Sequence, residues 1–307
     1  MKKKRKKRIA VISLFVLEAV IAVIIILTFS GVLKKRKVIK NPDMIDKLTS
    51  ASLDHSAWIR EGKLFLAGEE YENQDATKDW RDLQQVAISD DHVVALDAYG
   101  DVHAAGSDSS LQCRIDGLEK VSYIAAGMQC SLAVMEDGTI QVFGVMDETI
   151  RKSLEEEENV RTVAIGDVHT VVLHTDGTVS AYGDNDSGQC EVSKWNDIQQ
   201  VDTGYAYTAG LTTDGTIVFA GAENCNPQEF TQWKRVTEIA AGNSFLVVRD
   251  ESGETYATGE NKQGECNVNA WKNMISIAAG YDHTIGICDT GEIFATGYNG
   301  KGQCNIK

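Results

Sequence analysis

Apolar residues in this chain come in short runs bounded by glycine and turn residues, and the runs recur at a fixed interval. Seven strand-like segments end in glycine, at Gly68, Gly106, Gly144, Gly183, Gly221, Gly259 and Gly297, with spacings of 38, 38, 39, 38, 38 and 38 residues. A period of this length marks supersecondary units, each burying its apolar face against its neighbours. Six residues before each closing glycine stands another, as in the pairs Asp137-Gly138, Asp176-Gly177 and Asp214-Gly215. Asp-Gly between apolar runs predicts a tight hairpin, because the turn needs a positive φ that glycine reaches without steric cost. Seventeen residues before the closing glycine lies the end of an Ile-Ala-Ala-Gly-like run (Gly127, Gly166, Gly204, Gly242, Gly280), a slot that counts to Ala51 and Ser89 in the first two units. Twelve residues after it stands Trp80, Trp195, Trp233 or Trp271.

Each unit therefore reads as four short strands: a Gln-Cys-x-Val segment, the run ending at the Ala-Ala-Gly slot, the run after it such as 169–174, and the run closing on glycine. Four strands in about 40 residues is the signature of a propeller blade, whereas solenoid repeats of that length are mostly helical. The expected fold is all-β, a seven-bladed β-propeller with about four strands per blade over residues 41–307. The first unit lacks the Gln-Cys segment, and the chain ends on one (302–306). A C-terminal strand is thus expected to complete the N-terminal blade and close the ring.

The stretch GQCEVSKWNDIQQV, followed by G-x-x-H-T and then DGTVSAYG, resembles the regulator-of-chromosome-condensation repeat in its short bacterial form. The resemblance spans roughly residues 41–307. It implies a seven-bladed propeller; its members include a guanine-nucleotide exchange factor for Ran and propeller-type β-lactamase inhibitor proteins. The exchange factors carry longer repeats and a wedge-like insertion, for which a 38-residue spacing leaves no room. Fold transfers across such a family better than activity does.

The N-terminus has a different pattern. Residues 2–8 are all Lys or Arg, residues 9–33 are almost continuously apolar, and Lys34, Lys35, Arg36, Lys37 and Lys40 follow. At about 1.5 Å per residue this run crosses a hydrocarbon core of about 30 Å. The expectation is one N-terminal transmembrane helix (9–33) between a basic cytoplasmic tail (1–8) and a basic juxtamembrane linker (34–40). A cleaved signal peptide, with Thr28 and Ser30 as small residues near its end, is the competing reading; the length of the run and the basic cluster behind it favour an uncleaved anchor. The larger basic cluster precedes the helix, which favours a cytoplasmic N-terminus and a propeller outside the cell. Glu18 inside the run is either a tolerated acid or a polar contact to a partner helix.

Charge divides the chain at the same place. Residues 1–40 hold 12 of the 30 bases and one acid, net +11, and the remainder is net −26. Phosphate binding draws on Lys and Arg, so nucleic acid is excluded as a partner of the propeller. The basic tail suits anionic lipid head groups, and the acidic domain either steers cations and basic proteins or confers solubility.

Residues with chemical potential fall into repeat slots. Cys113, Cys190, Cys266 and Cys304 each stand seven after a closing glycine, equivalent places too far apart for disulfides, and are expected as buried thiols in small apolar slots. His92, His169 and His283 share a slot with Cys130, Tyr207 and Phe245, an exchange that suits a structural position better than a metal ligand. Asp184, Asp186 and Gly188 look like a calcium loop, but the equivalent turns lack the acids. No metal, cofactor or catalytic set is expected: there is no GxSxG, P-loop or HExxH. After Gly144 the usual turn gives way to residues 145–159, where Ile150 and Leu154 predict a short amphipathic helix, a product of drift or a partner contact.

Function is then expected on a propeller face, at the pairs that vary while their framework repeats: Asp90 and Asp91, Met128 and Gln129, Asp167 and Val168, Tyr205 and Ala206, Asn243 and Ser244, Tyr281 and Asp282. The β-lactamase inhibitors that the chain resembles present aromatic residues from such loops, a role that Tyr205 and Tyr281 would match. The expectation is a membrane-anchored, non-enzymatic module that binds a protein. The alternatives are an envelope glycan, an architectural role in a membrane complex, or an enzyme using the propeller channel.

Overall fold

The computed structural model describes residues 47–222 and 232–306. Seven antiparallel three-stranded sheets follow one another along the chain. Their first strands are Thr49–Ala51, Leu83–Ile88, Val121–Ala126, Val160–Ile165, Ile198–Thr203, Val236–Ala241 and Met274–Ala279. The middle strands are His55–Arg60, His92–Asp97, Cys130–Met135, His169–His174, Tyr207–Thr212, Phe245–Asp250 and His283–Cys288. The last strands are Lys63–Gly68, Val102–Gly106, Ile140–Gly144, Val179–Gly183, Ile217–Gly221, Thr255–Gly259 and Ile293–Gly297, so every one ends on a closing glycine. The first strands of all seven blades line a central channel of about 150 Å³.

The core lies between blades. Ala57 and Ile59 of the first blade pack on Val86, Ile88, Val93 and Ala95 of the second, and the same arrangement recurs around the ring. Middle strands are therefore covered on both faces, which is why runs such as 93–96 and 246–248 are continuously apolar and not alternating. The tryptophans cover the outer edge: Trp80 stacks on His103, Trp233 on Tyr256, and Trp271 lies against Phe294, each on the last strand of the following blade.

The two glycine series have different causes. Gly183, at φ 124°, closes its strand where a Cβ would stand 2.5 Å from the Val168 carbonyl oxygen. Gly204 lies under a ring: a Cβ there would meet Tyr207 Cε1 at 1.9 Å.

Each blade has three strands, not the four that the spacing suggested. The Gln-Cys segments fold as turns because their own side chains take the backbone donors that a ladder would need. Cys190 N donates to Asn185 Oδ1 (2.8 Å) and Ser187 N to Gln189 Oε1 (2.9 Å), a pattern repeated at Asn299 and Cys304. The C-terminal segment is likewise a turn and not a strand. It still serves the first blade, through Gln303 Nε2 donating to Leu53 O at 3.2 Å. The ring closes between the seventh and first blades through Thr49 Oγ1 and Ser276 Oγ (2.9 Å) and through Tyr281 N donating to Ser52 O (3.1 Å).

The first blade also shifts one assignment. Ser52, not Ala51, makes the bond that Ser89 and Gly127 make, donating its amide to a carbonyl three residues on. In the first hairpin Arg60 pairs with Lys63, so that turn is one residue shorter than its counterparts and the count slips.

The expected anchor (9–33) with Glu18, the tail (1–8) and the linker (34–40) lie outside the described residues. Among the described residues no helix is long and apolar enough to cross a membrane. The helix expected after the third blade is present as α1, Glu148–Glu155, capped by Asp147 Oδ1, which accepts from Thr149 N and Ile150 N. Leu154 is fully buried, and Arg151 donates to Val142 O and Gly144 O, so the helix packs into its blade as a framework element.

Candidate functional site

The hairpins between first and middle strands all emerge at one end of the channel. There Leu53, Asp90, Met128, Asp167, Tyr205, Asn243 and Tyr281, one from each blade, surround a shallow mouth of about 260 Å³. Backbone bonds run around this rim: Tyr205 N donates to Asn243 O, Asn243 N to Tyr281 O, and Tyr281 N to Ser52 O. Leu53 N then donates to Asp90 Oδ1 at 2.9 Å, which extends the chain of bonds to the second blade.

The structure thus brings together the first member of every sequence-predicted pair and adds Leu53. The second members form a ring farther out. The carbonyls of Asp91, Gln129, Val168, Ala206, Ser244 and Asp282 each accept the amide of the residue after a closing glycine, Ser107, Val145, Asp184, Ala222, Glu260 and Tyr298 respectively, at 2.8 to 2.9 Å. Asp91 is a framework residue. Its Oδ1 lies 2.7 Å from His92 Nδ1 and accepts from Ser89 Oγ, while Gln112 Nε2 donates to its Oδ2 at 2.8 Å. Burial acts to raise the Asp91 pKa, but these bonds, His92 foremost, outweigh it and hold the carboxyl below its ordinary value.

Sequence reasoning missed Leu53, Val145 and Tyr298. The last two occupy the slot directly after the closing glycine, which also holds Ser107, Asp184 and Glu260 and so varies as much as the predicted pairs do. With them the face carries six of the eight large hydrophobic side chains that are exposed among the described residues: Leu53, Met128, Val145, Tyr205, Tyr281 and Tyr298.

The acids on this face feel one another. Burial and the charge on Asp90 raise the Asp167 pKa, and burial with Glu265 and Glu260 raises that of Asp282.

The histidines turn out to be latches between blades. His92 Nε2 meets Ser131 Oγ (2.7 Å), His169 Nε2 meets Thr208 Oγ1 (2.9 Å), and His283 Nε2 meets Ser56 Oγ (2.8 Å), always on the following blade. Thr208 Oγ1 gives its own proton to Gln189 O, so His169 donates from Nε2. Tyr207 fills the same slot and sends its hydroxyl to the Gly242 carbonyl at 3.1 Å, which explains the exchange of His for Tyr. Asp91, His92 and Ser131 line up like a hydrolytic triad, yet His92 and Ser131 are wholly buried and no substrate carbonyl could reach the hydroxyl.

Polar side chains of the first strands also bridge blades. Gln85 clamps Ile124 through both its amide groups, Gln200 clamps Ile239 in the same way, and Glu238 accepts from Ile277 N while pairing with Arg249 Nε at 2.8 Å. Lys47 also lines the channel, where Tyr123, then Asp202 and Glu238, hold its ammonium above the ordinary pKa.

The cysteine slot is polar, contrary to expectation: each thiol donates to a carbonyl six residues back, Cys113 to Ser107 O, Cys190 to Asp184 O, Cys266 to Glu260 O and Cys304 to Tyr298 O. All six described cysteines are free. Asp184 is likewise held in its turn, accepting from Asp186 N and Gln189 Nε2. Among the described residues no group of three or more His, Cys, Asp or Glu is arranged to hold a metal ion.

These features define a ring of repeats with a variable, partly apolar mouth. The family model of the regulator of chromosome condensation (RCC1) repeat matches residues 160–189 and 274–303. The fold is similar to that of yeast RCC1 (Prp20), solved bound to Kap60, with a TM-score of 0.60 and 16% identity over 85% of this chain and 82% of that one. Human WBSCR16 is as similar, with a TM-score of 0.60 and 16% identity over 78% of this chain and 85% of the other. The CRINKLY ectodomain of the Arabidopsis thaliana receptor kinase ACR4 gives a TM-score of 0.60 at 12% identity, over 79% of this chain and 92% of its own. At such identities the likeness is one of fold. No curated protein sequence matches the chain.

Proposed function

We propose that this chain is a single-pass membrane protein whose RCC1-like propeller, displayed outside the cell, binds a protein partner through the mouth face. The observation that carries the reading is the concentration of exposed apolar side chains, Leu53, Met128, Val145, Tyr205, Tyr281 and Tyr298, on one end of an otherwise strongly acidic domain. Exposed apolar residues gathered in one place and rimmed by polar groups mark interaction surfaces, and tyrosines there serve as anchors. The polar groups of the channel are already used to join blades, which favours the face over the channel as the working surface. The anchor rests on the apolar run 9–33, and the outward orientation on the excess of bases before it.

The test is photocrosslinking in intact cells from a benzophenone side chain placed at Tyr205. A discrete adduct that disappears when Met128 and Tyr281 are changed to alanine supports the face; an adduct indifferent to those changes, or none, refutes it. Protease added to intact cells should degrade the propeller, and protection until the membrane is opened would reverse the orientation.

A further inference from the structure

The mouth is built for charge as well as for apolar contact. Two of its seven rim residues are aspartates, Asp90 and Asp167, and four are apolar or aromatic, Leu53, Met128, Tyr205 and Tyr281. Among the described residues that line it, none is a lysine, arginine or histidine. Two lysines in the turns that follow closing glycines are already paired, Lys262 with Glu260 and Lys301 with Glu69. An unneutralised pair of carboxylates beside tyrosine rings is complementary to a cation, which gains from both the charges and the ring faces. At about 260 Å³ the mouth is smaller than the usual small-molecule site, so it suits an inserted side chain and not a whole ligand.

On these grounds, and resting on the protein-binding reading above, we infer that the partner inserts a lysine or arginine, flanked by apolar residues, between Asp90 and Asp167. Burial, and after it the charge on Asp90, already raises the Asp167 pKa, and an incoming cation offsets that like-charge repulsion. The domain's net charge of −26 draws such a partner in from a distance.

The experiment selects a random peptide library on phage against the full chain held in lipid nanodiscs. Enriched peptides should carry Lys or Arg beside aromatic or aliphatic residues, and should bind Asp90→Asn/Asp167→Asn at least about ten-fold more weakly. Asparagine keeps the oxygen that accepts from Leu53 N, so the loop is preserved, and a matching thermal melt checks this. Replacing the peptide's arginine by citrulline should cost as much. Glu155→Gln/Glu156→Gln, which removes the same charge at the end of α1, should leave affinity unchanged. Peptides enriched without a base, equal binding to the double asparagine chain, an equal loss in the α1 control, or no enrichment at all overturns the inference. A crosslink from Tyr205 that persists in the double asparagine chain would leave the face a binding surface and remove only the cation.

Discussion

Replacing His169 and His283 by glutamine should flatten the acid side of this protein's stability curve. Both rings are buried, 2% and 0% exposed, and both are held neutral: burial lowers each pKa from 6.5 to about 4. The folded pKa lies below the unfolded one, so between these two values the unfolded chain binds the extra proton. The contribution is complete above pH 6.5 and drains away as pH falls toward 4. A shift of about 2.5 units corresponds to about 3 kcal/mol per histidine once both states are protonated. Between pH 6.5 and 4.5 the loss is about 2 kcal/mol each, about 4 together, against a total domain stability of about 5 to 15 kcal/mol. Urea unfolding followed by tryptophan fluorescence at a series of pH values reads this directly. Wild type should lose about 4 kcal/mol more than His169→Gln/His283→Gln over that window. Taking the difference removes the carboxylates, among which Asp167, Asp282 and Glu238 have raised values and oppose the trend. Parallel curves would refute the buried-latch account, as would imidazole signals titrating near the ordinary 6.5.

Two further outcomes concern a clamp between blades and the thiols held within the turns. Gln85→Leu removes both bonds to Ile124 and leaves that residue's buried amide and carbonyl without their partner; a loss of about 1 to 3 kcal/mol is expected in the same unfolding assay, and an unchanged midpoint would show that the clamp carries nothing. Burial pushes the Cys113 thiol up to about 12 and that of Cys304 to about 11, so iodoacetamide at pH 8 should label both far more slowly in the native chain than in urea; equal rates would contradict the thiol-to-carbonyl bonds.

The glycine period, the Asp-Gly turns and the continuous apolar runs determine seven blades without reference to any structure. Local chemistry suffices for this: a positive φ selects glycine, and a strand buried on both sides must be apolar. The same period places Asp90, Met128, Asp167, Tyr205, Asn243 and Tyr281 at equivalent points, which is enough to converge them on one face once the ring closes. Strand number was not determined in that way. The Gln-Cys segments look like strands in composition, and only the capture of their amides by Asn185 and Gln189 makes them turns.

Pairings across blades were decided by tertiary structure alone. His92 and Ser131 are 39 residues apart in sequence, and nothing in either neighbourhood announces that one ring nitrogen needs the other's hydroxyl. Leu53 entered the rim only because a hairpin one residue short moved its slot, and Asp91 left the candidate surface because His92, Ser89 and Gln112 reach it in space. The sequence by itself determined which positions repeat and which vary, since repetition is a property of the chain. Which of the variable side chains stay free for a partner was decided by the folded ring, because a hydrogen bond depends on distance and the ring alone brings distant turns within reach.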